Sequence, residues 1–285
     1  MKKILIAALC VFAGFTGTAQ KLENGLLWKI SGNGLSKPSY LYGTMHITCD
    51  ATLDKNILAA LDATTQVYLE LDMDDPAMQT EMMGTVMMKD GVTMKSLTTP
   101  EEYKIVDEFL KTNTGASVDM LGTFKPFMVS AILYPKMIDC PMQSYEQAIM
   151  EVAKNQKEDV YGLETVAEQM AVFDAIPYKE QMDELVKTAK DNMVNDKKEM
   201  TEMMAVYNKK DLNALLEFMD KSENKMMASH NDVLLNNRNK NWMPKIEAVA
   251  KANPTFFGVG AAHLAGDNGV IKLLRKKGYK VEAVK

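Results

Sequence analysis

Two segments near opposite ends of the chain share one pattern: an apolar, strand-like run closing on glycine, then two residues, then histidine. The first is Tyr40-Leu41-Tyr42-Gly43-Thr44-Met45-His46, and the second is Phe256-Phe257-Gly258-Val259-Gly260-Ala261-Ala262-His263. The chain of 285 residues has only three histidines, so two of the three fall in matched contexts. Each segment opens a β-turn-α-β unit. Around the first, strands are expected over 26–30 and 40–43, followed by a helix over 54–64. There Ile57, Leu58 and Leu61 recur at helical spacing, and residues 66–71 then alternate as a strand. Around the second, a strand over 255–260 precedes a helix over 269–277 and a last strand over 279–284. The expected fold is therefore α+β: two β-turn-α-β units forming a central sheet, with a large helical insertion over roughly 75–250.

Within the insertion, Asp75-Pro76 starts a Met-rich helix. Thr99 caps another helix, which ends before Gly115. A buried helix over 127–133 stops at Pro135, and an amphipathic one over 146–156 leads to a short strand over 160–163. Thr165 and Glu168 have capping-box spacing. One long charged helix is expected over 178–207, then an apolar stripe at Leu212, Leu215, Leu216 and Met219, and a helix from about 224 through Trp242. No low-complexity linker divides the chain, so residues 20–285 read as a single domain.

Lys2 and Lys3, the apolar run 4–15 and Gly17-Thr18-Ala19 form a signal peptide over 1–19, with cleavage before Gln20 and a periplasmic or secreted destination. That run is too short to span a bilayer, and no later segment reaches 18 uninterrupted apolar residues, so no membrane span is expected in the mature chain. Export leaves Cys49 and Cys140. An oxidising compartment allows them to pair, but no spacing argument brings them together, and both could equally be small buried hydrophobes. With 47% hydrophobic and 25% charged residues the chain is an ordinary globular one. The 33 Lys and Arg residues form no basic stripe, which argues against nucleic acid as a partner. The 24 methionines suit irregular packing or an adaptable apolar groove.

In open α/β sheets, ligands bind beyond the carboxyl ends of strands, which is where His46 and His263 fall. Two imidazoles brought together there can hold a metal or move protons; as separate turn residues they would do neither. Glu70, between Leu69 and Leu71, is expensive inside an apolar strand unless paired or metal-bound. Glu164 lies between a strand and a helix N-terminus, where a favourable dipole interaction competes with a site role. Arg238, in Arg238-Asn239-x-x-Trp242, is either part of a solvated face or a fork for a carboxylate or a developing oxyanion. His230 has no strand or turn context and reads as a surface residue. There is no Gly-x-Ser-x-Gly elbow, no His-Glu-x-x-His helix and no phosphate-binding glycine loop.

Taken in order, the His46 segment, Leu69-Glu70-Leu71-Asp72, Gly162-Leu163-Glu164-Thr165, Arg238-Asn239-x-x-Trp242, the His263 segment with Leu264 and the closing Gly-Val-Ile-x-Leu-Leu-x-x-x-Gly-Tyr-x-Val resemble the TraB/GumN family. That family includes the Tiki proteins, described as metal-dependent proteases acting on secreted signalling proteins. The resemblance spans about residues 26–284. It implies a divalent-metal site made by His46 and His263 with Glu70 and Glu164, and Arg238 nearby. It also implies a metal-dependent hydrolase acting on a peptide or protein, with Glu70, Glu164 and Arg238 as the catalytic candidates. Mixed imidazole and carboxylate ligation suits Mn²⁺, Co²⁺ or Zn²⁺. Hydrolysis of a non-peptide ester needs the same site. The other class left open is a non-catalytic protein of this fold that binds a metal, a haem-like group or a peptide.

Overall fold

A computed structural model describes residues 21–224, 226 and 229–285. The expected leader, residues 1–19, and its cleavage point lie outside the described residues. Six strands form one sheet in the order β4-β3-β5-β2-β1-β6: β1 (Leu27–Ser31), β2 (Ser39–Thr44), β3 (Val67–Leu69), β4 (Val160–Gly162), β5 (Phe256–Gly260) and β6 (Lys280–Ala283). β1 runs antiparallel to both its neighbours, β2 and β6. The β2–β5, β5–β3 and β3–β4 pairings are parallel.

The sheet interleaves the two expected units. β5 inserts between β2 and β3, and β6 lies beyond β1. Parallel strands covered on both faces read as continuous apolar runs, and Phe256, Phe257, Gly258 and Val259 of β5 are all buried. Close packing sets the glycines in the two central strands. A Cβ on Gly43 would lie 3.0 Å from Ala261 Cα, and one on Gly258 would lie 2.8 Å from Leu69 Cδ2.

The helices in chain order are α1 (Lys55–Asp62), α2 (Met78–Thr85), α3 (Met94–Leu97), α4 (Pro100–Thr114), α5 (Val118–Leu121), α6 (Pro126–Leu133) and α7 (Tyr145–Gln156). They continue as α8 (Val166–Asp174), α9 (Tyr178–Lys190), α10 (Val194–Asn208), α11 (Leu212–Asp220), α12 (Asn237–Ala252) and α13 (Val270–Lys276). Capping fixes several starts. The Asp54 side chain accepts from the Asn56 and Ile57 amides, and the Thr99/Glu102 and Thr165/Glu168 pairs close reciprocal capping boxes.

The long helix expected over 178–207 is two helices. Asn192 and Met193 take left-handed φ values of 55° and 63° between α9 and α10. Asn tolerates that region, and the turn seats Met193 in a second hydrophobic cluster with Met94, Leu110, Val129, Leu133 and Leu185. The main cluster, with Trp28, Leu41, Leu69, Trp242, Phe256 and Phe257, packs around the sheet. A π-helical turn, Asp232–Asn236, leads into α12. Cys49 and Cys140 are disulfide-bonded, joining the loop after β2 to the segment before α7. No helix among the described residues is long and apolar enough to cross a membrane.

Candidate functional site

Four of the sequence-marked residues sit just past the carboxyl ends of four adjacent parallel strands: His46 after β2, Glu70 after β3, Glu164 after β4 and His263 after β5. The parallel pairing sets Thr44 opposite Gly260, so the β2 and β5 ends open side by side. Arg238 reaches the same cluster from α12 and joins the two carboxylates.

His263 is buried in a short 3₁₀ turn, Ala261–Leu264. Asn239 donates from Nδ2 to the carbonyls of His263 (3.2 Å) and Asn268 (2.9 Å). Its Oδ1 therefore faces His263 Nδ1, at 2.6 Å, as acceptor. That assigns the proton to Nδ1 and leaves a lone pair on Nε2, which meets Arg238 Nη1 at 3.0 Å. Burial, with the charge of Arg238 and His46 and against that of Glu70, pushes the His263 pKa down to about 3, so the ring is neutral.

His46 is placed differently, with 62% of its side chain open to solvent. The Tyr145 amide bonds to the Met45 carbonyl at 3.4 Å. Glu146 Oε1 takes His46 Nδ1 at 2.8 Å, and Ser144 Oγ donates to Glu146 Oε2 at 2.6 Å. Desolvation of the ring lowers its basicity, but the hydrogen bond and charge of Glu146 outweigh it, and the His46 pKa is raised. Glu146 is itself held below the ordinary carboxylate range: burial opposes the shift, but His46 and Ser144 prevail.

Glu70 is buried, which alone would raise its pKa. The charges of Arg238 and His46 and the Gly260 amide bring it far below the usual range, so it is ionised. The Gly260 N–H donates to its Oε1 at 2.8 Å, and that oxygen lies 3.7 Å from His263 Nε2. Arg238 Nη2 donates to its Oε2 at 2.5 Å. Glu164 accepts from Arg238 Nε and Nη2, from Trp242 Nε1 at 3.0 Å and from Gln169 Nε2 at 3.1 Å.

Gly260 marks where these groups converge. A Cβ there would lie 3.2 Å from Glu70 Oε1, 3.6 Å from His46 Nε2 and 3.6 Å from His263 Cδ2. The donors fit a divalent ion in kind, since each imidazole has Nδ1 tied to an oxygen partner that orients the ring and leaves Nε2 as the atom for a ligand, although in His263 it now accepts from Arg238 Nη1. They are not drawn into a ready coordination shell. Among the described residues no group of three His, Cys, Asp or Glu side chains is arranged to hold a metal, and Arg238 fills the space between the acids. A cavity of about 400 Å³ adjoins Glu164, with Tyr68, Asp72, Met78, Tyr161 and Lys245 in its wall.

His230 stands apart from the cluster, paired with Glu180 at 2.8 Å. Glu146 joins the site without a sequence signal, because an acid in the first turn of a helix reads as a dipole partner. Asn239 and Trp242 had one signal: with Arg238 they fall at i, i+1 and i+4 of one helix, and Arg238 and Trp242 share a face. The Arg238 Cζ lies 4.9 Å from the Trp242 ring centroid.

The model of the TraB/PrgY/gumN family matches residues 26–283. Among curated proteins, the chain is 21% identical to the metalloprotease TIKI2 of Danio rerio, across 93% of this chain and 62% of that protein. It is 22% identical to the metalloprotease TIKI1 of Danio rerio, across 94% and 64% respectively. It is also 21% identical to TIKI2 of Xenopus tropicalis, across 99% and 64%. The chain thus spans less than two thirds of the length of these relatives. No solved structure matches it.

Proposed function

The chain belongs to the TraB/PrgY/gumN family, and from that premise we propose that it is an exported metal-dependent hydrolase acting on peptide bonds. The observation that carries this reading is the convergence of His46, His263 and Glu70 on the space beside Gly260. In it, His46 and His263 hold a divalent ion (Mn²⁺, Co²⁺ or Zn²⁺) through Nε2, with Glu70 Oε1 as the acidic member. When bound, such an ion polarises a carbonyl and lowers the pKa of water.

The chain's own groups do the rest. Asn239 keeps His263 in its Nδ1–H tautomer, and Glu146 fixes the ring of His46. Glu164 is saturated by Arg238, Trp242 and Gln169. Its part is to anchor Arg238, whose guanidinium is the group available to a developing oxyanion; service as a ligand would require it to release those donors. Glu70 has two duties open to it, ligand and proton acceptor. Glu70→Gln separates them, since loss of metal marks the ligand and retained metal without turnover marks the proton acceptor. The Cys49–Cys140 disulfide and the leader-like residues 1–19 support a periplasmic or secreted location.

The test is cleavage of a peptide library, read by mass spectrometry, by purified protein that has been stripped with chelator and reloaded. Cleavage is expected to disappear with chelator and return with one of the three ions. Retained metal without cleavage would instead favour a non-catalytic metal-, haem- or peptide-binding protein of the same fold. The observation on that side is that Arg238 already pairs with both carboxylates.

A further inference from the structure

The acidic and imidazole groups of the cluster already share a cation, the guanidinium of Arg238. Of the 33 basic residues in the chain only Arg238 and Arg275 are arginines, and Arg275 is spent on the Val281 carbonyl in β6. All five N–H donors of Arg238 are placed. Nε–H faces Glu164, the two on Nη2 serve Glu70 and Glu164, and the two on Nη1 serve the Leu234 carbonyl (3.1 Å) and His263 Nε2 (3.0 Å). A lysine, with three donors on one point, could not make that set.

Building on the metal reading above, we propose that Arg238 is the internal counter-cation of the metal-free site, competing with a divalent ion for Glu70 and for Nε2 of His263. The Nε2 lone pair accepts either an N–H or an ion, not both. Two buried carboxylates without a cation are strongly unfavourable, so the metal-free fold keeps Arg238 among them. When an ion enters, Nη1 gives up His263 while Nε and Nη2 keep Glu164, which Trp242 and Gln169 hold still. Removing a charged side chain from a metal site ordinarily weakens metal binding. Here the sign is reversed, because the side chain lost is both a competitor and a like charge.

The test measures Zn²⁺ affinity, by competition with a chelator, for the full chain and for Arg238→Gln. The variant is expected to melt lower without metal, to bind Zn²⁺ at least about tenfold more tightly, and to close the melting gap at saturating Zn²⁺. Equal or weaker binding overturns the proposal. A second measurement on the unmutated protein does not depend on the variant folding. With two arginines there are two Nε–H signals in a nitrogen-15 spectrum, and Zn²⁺ should shift that of Arg238 and leave that of Arg275 in place. If Zn²⁺ binds and the Arg238 signal stays put, the competition does not exist. If neither protein takes up Zn²⁺, Mn²⁺ or Co²⁺, the metal reading fails and this proposal fails with it.

Discussion

At Gly260 a single methyl group should separate folding from metal binding. Its φ of −49° and ψ of 134° are open to alanine, so Gly260→Ala introduces no backbone strain. The new Cβ would enter the space shared by Glu70 Oε1, His46 Nε2 and His263. The expected result is a melting temperature within a few degrees of the parent and metal affinity at least about tenfold lower by chelator competition. His263 gives a prediction of a different kind. Its pKa is 6.5 in an ordinary setting and about 3 in the fold, so between those values the unfolded chain binds a proton that the folded chain does not. Stability from His263 is therefore full above about 6.5 and lost as pH falls toward 3. The raised His46 works the other way, contributing below 6.5 and losing its contribution as pH rises through its folded value. The depressed Glu70 and Glu146 matter only once pH falls below about 4.5. Asp72, raised to about 6 by desolvation and by Asp74 and Asp75, works against His263 in the same window, so the comparison with a variant isolates the histidine: in chelator, melting temperature should fall more from pH 6.5 to 4.5 in the unmutated protein than in His263→Asn. Parallel curves for the two proteins would mean that His263 is not held neutral.

At the scale of elements, α12 carries the electrostatic centre. Arg238, Asn239 and Trp242 hold, in turn, the two carboxylates, the His263 tautomer and Glu164. Trp242→Phe keeps an aromatic ring but removes the N–H to Glu164 together with part of the buried indole, so urea unfolding should show a loss of at least about 1–3 kcal/mol. A loss under 0.5 kcal/mol would mean that Glu164 does not need that donor. Much of this architecture was legible from local physics. The Gly-x-x-His turns after β2 and β5, the capping boxes at Thr99 and Thr165, and Glu70 as an acid that had to find partners in an apolar strand all follow from neighbouring residues. What was not legible depends on pairing between distant segments. Nothing local places β5 between β2 and β3, sets Cys140 beside Cys49, or delivers Glu146 to His46. The break at Asn192–Met193 escaped for a related reason. The helical pattern of 178–207 continues through it, and it is tertiary burial of Met193 that favours the left-handed turn.

At the scale of the molecule, the two ends of the chain and the mid-chain strand β4 knit one sheet, and helices between them build a second cluster. We propose that residues 20–285 unfold as one domain, so calorimetry of the oxidised protein should show a single transition; two resolved transitions would split the sheet from the helical cluster. The Cys49–Cys140 bridge closes a loop with a sequence separation of 91, and Cys49→Ala with Cys140→Ala should cost about 2–4 kcal/mol. The central claim concerns the shared site: His46 and His263, brought together by the parallel pairing of β2 and β5, hold one ion between them. Elemental analysis of folded His46→Ala and His263→Ala proteins, each exposed to sub-stoichiometric Zn²⁺ and desalted, tests it most directly. The account predicts that each single substitution empties the site and that the double substitution is no worse. Stoichiometric metal retained by either single variant would contradict it.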